Sequence, residues 1–183
     1  VTKADSAAID VKSLRDRTQI KAIVAELESN SDKLVINPTV MAELTVYMRT
    51  ADLIPKRIDV ADRRSVDQVQ EALQQLQSRV DRVIAVQASI FKINRALGKL
   101  DILVIQDLAE AGEINGKTSG TATRQILGIV IPELAIHQHK WKAFERFCLA
   151  VQNHLGDAKD TLRMQIKLDE TANWNRRYSG NAS

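Results

Sequence analysis

The chain has one cysteine, three prolines and seven glycines in 183 residues, and aromatic side chains make up 4% of it. Each scarcity excludes something. With Cys148 alone, no intramolecular disulfide can form, which fits a reducing compartment or indifference to redox. So little glycine and proline cannot supply the turns of a sandwich or barrel, nor the composition of a disordered linker. Few aromatics weigh against platforms for stacking bases or sugars and against an aromatic-lined ligand pocket. No run approaches the roughly 18 apolar residues of a spanning helix, and the opening VTKADSAAIDVKS has no apolar h-region. The expectation is a soluble chain without membrane insertion, cytoplasmic or held within a macromolecular assembly.

What is present points to helices. Hydrophobic residues at 44% and charged residues at 27% are globular values, and 26 Lys and Arg against 23 Asp and Glu leave a net charge of +3. That balance permits contact with a polyanion without the basicity of a dedicated nucleic-acid binder. Val11, Leu14, Ile20, Ile23, Val24 and Leu27 form one helical stripe and predict a first helix over 10–28. Asn37-Pro38, a cap followed by proline at the first helical position, predicts a second over 38–51 with Val40, Met41, Leu44 and Tyr47 inward. Pro55 leaves 52–64 as a connector.

Ser65 followed by Gln68 has the capping-box pattern. Beyond it comes the longest regular feature of the chain: Val66, Val69, Leu73, Leu76, Val80, Val83, Val86, Ile90, Ile93, Leu97, Leu100, Val104 and Leu108, spaced by threes and fours as in a coiled-coil seam. A helix over 65–110 would be about 70 Å long, against a diameter near 40 Å for a compact globule of this size. It must therefore project in a hairpin or be buried by other copies. The loop GEINGKTSG turns the chain, and ATRQILGIVI runs to Pro132, which ends or kinks its helix. Leu134, His137, Trp141, Phe144, Cys148, Val151, Leu155, Ala158 and Leu162 then make a second seam, with a bend expected at Gly156. The periodicity fades from Thr171 into a polar, basic tail. The expected fold is all-α: an N-terminal helical region with its connector over 1–64, a long antiparallel hairpin of coiled-coil character over 65–170, and a tail over 171–183.

Apparent catalytic motifs have simpler readings. Gly116-Lys117-Thr118 lacks both the four-residue spacing from Gly112 and the preceding strand that a phosphate loop needs. His137 and His139, two apart, point to different helix faces, whereas helical zinc sites use spacings of three or four. Cys148 sits in a seam between Phe144 and Val151 and has no companion base in a recognisable motif. The pairs Asp157/Asp160 and Asp169/Glu170 are of a kind that charged helix faces produce routinely. No catalytic, cofactor-binding or metal residues are assigned, and no small-molecule substrate is inferred. The expectation is a non-enzymatic, self-associating helical subunit or assembly adaptor whose oligomer seam is Val66, Val69, Leu73, Leu76, Val80 and Val83. Its tail residues Trp174, Arg176, Arg177 and Tyr178 would strap a neighbour. The alternative is an oligomeric nucleic-acid-binding accessory protein, a recombination, packaging or segregation factor, that uses Lys12, Arg15, Arg17 and Lys21 of the first helix with Lys56, Arg57, Arg63 and Arg64 of the connector on phosphates.

Overall fold

A computed structural model describes residues 10–179, and within them every regular element is helical. The order is α1 (Val11–Asp16), α2 (Thr18–Ser29), a 3₁₀ turn (Ser31–Leu34), α3 (Pro38–Tyr47), α4 (Arg63–Glu110), α5 (Gly120–Val130) and α6 (Pro132–Ser179). The chain is all-α, with α4 and α6 as the long arms of a helical hairpin, each of 48 residues. Two compact units share those arms. One holds the stretch to Ile36 with Ile90–Phe144, and the other holds Asn37–Ser89 with the stretch from Glu145.

In the first unit Ile20, Ile23 and Leu27 of α2 enter a core with Leu97, Val104 and Leu108 of α4, Leu127 and Val130 of α5, and Leu134 and Trp141 of α6, all buried. The expected first helix is two. At Arg17 the backbone swings to φ −64°, ψ 138°, and its guanidinium forms two hydrogen bonds, of 2.7 and 2.8 Å, with the buried Asp107 carboxylate of α4. Local periodicity carries no sign of a break fixed by a residue 90 positions away. α4 ends in a Schellman motif: Gly112 takes φ +78°, its N–H donates to Ala109 O, and Glu113 N–H donates to Leu108 O. Pro132 separates α5 from α6, with Ile131 between them at φ −132°, ψ 75°.

In the second unit the two arms run antiparallel. Gln77 meets Lys159, and further along α4 Gln87 donates to Gln152, nearer the start of α6. Leu76 and Val83 face a core shared with Leu44, Val151, Leu155 and Leu162, none with any exposed surface. Three boundaries differ from expectation. α3 stops at Tyr47, and residues 48–62 form the connector. α4 starts at Arg63, where Asp62 caps it by accepting from the N–H groups of Arg64 and Ser65 at 3.2 and 3.3 Å. Ser65 therefore lies inside the helix, where its hydroxyl accepts from Asp59 N–H. Gly156 produces no break, and the stretch from Thr171 stays helical to Ser179. Residues 1–9 and 180–183 lie outside the described residues.

Candidate functional site

The seam over 66–83 divides by register. Val69, Leu76 and Val83 are buried by the rest of their own unit, while Val66, Leu73 and Val80, each seven apart, stay half-buried. The fold itself covers the first set, so those residues offer nothing to a second copy. Charge substitution at Leu76 would attack the core before any assembly.

Of the cations expected on phosphates, Arg15, Arg17 and Lys21 are ion-paired with Glu133, Asp107 and Asp16 and are not free for that role, whereas the connector presents its cations freely. Lys56, Arg57, Arg63 and Arg64 are exposed, and among the described residues none of their side chains is ion-paired. The nearby acids are turned to the backbone instead. Asp59 accepts from Ala61 N–H, Asp62 from the first turn of α4, and Asp169 of α6 from Val60 N–H at 2.8 Å. Carboxylates used as backbone acceptors fix the connector's shape and leave its positive charge uncompensated by close contacts.

The last turns of α6 carry an apolar surface without a cover from their own unit. Met164, Leu168, Trp174 and Tyr178 are each at least 60% exposed. Helical spacing puts Met164, Thr171 and Tyr178 in one row, turned away from buried Leu155, Ala158 and Leu162. Trp174 and Tyr178 rest against each other with ring centroids 4.6 Å apart. Arg176 and Arg177 are exposed beside them. The expected strap is thus a helical face, and its aromatic-basic residues are held in register by the helix.

The remaining singled-out groups are accounted for locally. In the loop after α4, Lys117 N–H donates to the Asn115 side chain, and Asn115 N–H to the Thr118 hydroxyl. Those amides serve the turn. Cys148 has no exposed surface, and burial pushes its thiol up to about 11. His137 is half-buried with Nδ1 unpartnered, and burial followed by the nearby Lys140 lowers its affinity for a proton. Among the described residues no three His, Cys, Asp or Glu side chains are grouped to hold a metal ion, and no helix is long and apolar enough to cross a membrane. The chain matches no protein family, no curated protein and no solved structure.

Proposed function

We propose that the protein is a non-enzymatic helical subunit or assembly adaptor that self-associates through the outward face of α6. The observation that carries this reading is the exposure of Met164, Leu168, Trp174 and Tyr178, four large apolar side chains left in water over the last turns of the helix. Such surface is stabilised by cover, at roughly 25 cal/mol for each Å² removed from water, and tryptophan and tyrosine concentrate in protein interfaces. The half-buried seam positions Val66, Leu73 and Val80 supply a second strip for the same kind of contact. Replacing Trp174 and Tyr178 together by alanine should lower the mass measured by light scattering while far-UV helicity holds. An unchanged mass in that variant contradicts the assignment of the face.

A nucleic-acid-binding role is the second reading, favoured by the exposed Lys56, Arg57, Arg63 and Arg64, which are not ion-paired among the described residues. Each phosphate neutralised releases counterions, so binding should weaken steeply with salt, and changing Arg57, Arg63 and Arg64 to glutamine should flatten that slope. Absence of binding to DNA and RNA at low salt eliminates this reading and leaves the first intact.

A further inference from the structure

The first unit contains an open cleft whose chemistry neither reading uses. The chain turns at Ile131 because Pro132 has no N–H with which to continue the α5 ladder. α5 and the first turns of α6 consequently diverge from that point. The space between them, about 290 Å³, is lined by Leu127, Ile131, Leu134, Arg124, His139 and Lys142, with Asp101 of α4 at its side. The floor is apolar and lies deep: Leu127, Ile131 and Leu134 are 8%, 1% and 2% exposed. The walls are polar and charged.

Arg124 and Lys142 are exposed, and among the described residues neither is ion-paired, with Asp101 or with any other carboxylate. The lining therefore carries two fixed positive charges and an imidazole against one carboxylate. Gln138 adds an amide that can donate. A guanidinium fork, an ammonium, an imidazole and an amide offer more donors than the two oxygens of a carboxylate can accept. Three terminal phosphate oxygens match them better, and the apolar floor leaves a place for a hydrocarbon or ring beyond the phosphate. The volume lies near the lower end of the range for small-molecule pockets, about 300 Å³, so the occupant is a small molecule.

We infer that this cleft binds a small organic phosphate monoester, with its phosphate between Arg124 and Lys142 and its apolar part on Leu127, Ile131 and Leu134. Phenyl phosphate has both features and serves as the probe, titrated into the full chain and followed by amide chemical shifts. The expected result is saturable binding with shifts centred on 124–142. Inorganic phosphate, which leaves the floor uncovered, and benzoate, which has too few oxygens, should each bind about tenfold more weakly or worse.

Arg124→Gln and Lys142→Gln should each weaken phenyl phosphate by about tenfold through loss of a charge-assisted hydrogen bond. Asp101→Asn should strengthen it, because a neighbouring negative charge is removed. Lys92→Gln, elsewhere in the same unit, should leave it unchanged. The positions altered are at the surface or half-buried, so loss of fold does not enter the comparison. Lack of saturation by phenyl phosphate overturns the inference. Equal weakening by Lys92→Gln and Lys142→Gln also overturns it, because that result describes diffuse attraction to surface cations.

Discussion

At the residue scale, a few buried and half-buried polar groups set how the fold responds to pH and to substitution. His137 has a folded-state proton affinity below its ordinary value of 6.5, so its contribution to stability is fully present above that pH and is lost as pH falls through the lowered value. Glu43 is held below its ordinary 4.5 by hydrogen bonds from Arg82 and then Tyr47, and Glu133 by hydrogen bonds from Arg15. Their contribution is present above 4.5 and is lost on further acidification. Urea midpoints should therefore fall in two stages as pH decreases, and His137→Leu should flatten the first, which sets in below 6.5, while leaving the second, which sets in below 4.5.

Cys148, with its thiol at about 11, should resist maleimide at neutral pH in the folded chain and react on denaturation. Full labelling of the native chain would contradict its burial. The Arg17–Asp107 pair gives an asymmetric expectation. Arg17→Ala leaves a carboxylate that is 5% exposed without its partner, whereas Asp107→Asn returns a one-third exposed guanidinium toward water. Thermal melts should show the arginine variant as the less stable of the two.

At the scale of elements, two glycines make opposite predictions. Gly112 sits at φ +78° in the turn after α4, where an L side chain is strained, so Gly112→Ala should cost about 1 to 2 kcal/mol. Gly156 lies inside α6 with nothing within 4 Å of an added methyl group. Gly156→Ala should stabilise the chain by up to about 1 kcal/mol. Denaturant midpoints of the two variants should move in opposite directions.

The same elements show what can be read from a sequence. Long seams over 66–108 and 134–162 declare themselves because burial repeats along one helix face and each residue reports the same neighbour. The antiparallel hairpin and the turn at Gly112 follow from that regularity. The break at Arg17 does not, because Asp107 decides it from another helix. Nor does the helicity of 171–179, since a solvent-facing helix end has no reason to keep a narrow apolar stripe. The roles of the acids near the connector are equally invisible in the sequence, because the fold gives Asp59, Asp62 and Asp169 to backbone N–H groups.

At the scale of the whole molecule, the sequence sets two long apolar seams, and the fold consumes most of them internally. Leu76 has no exposed surface, so Leu76→Ala should cost about 2 to 5 kcal/mol in chemical denaturation and lower stability rather than change oligomeric mass. The exposed face of α6 has the reverse character. Its side chains contribute little within one chain, and their substitution should alter association with little effect on folding. The proposed function gives assembly and folding to different residues of the same hairpin, Trp174 and Tyr178 for one, Leu76 and Leu162 for the other. Sedimentation equilibrium of the unmodified chain tests this assignment most directly: the account predicts a mass that is a multiple of 20.4 kDa at micromolar concentration, and a single 20.4 kDa species throughout the concentration range would contradict it.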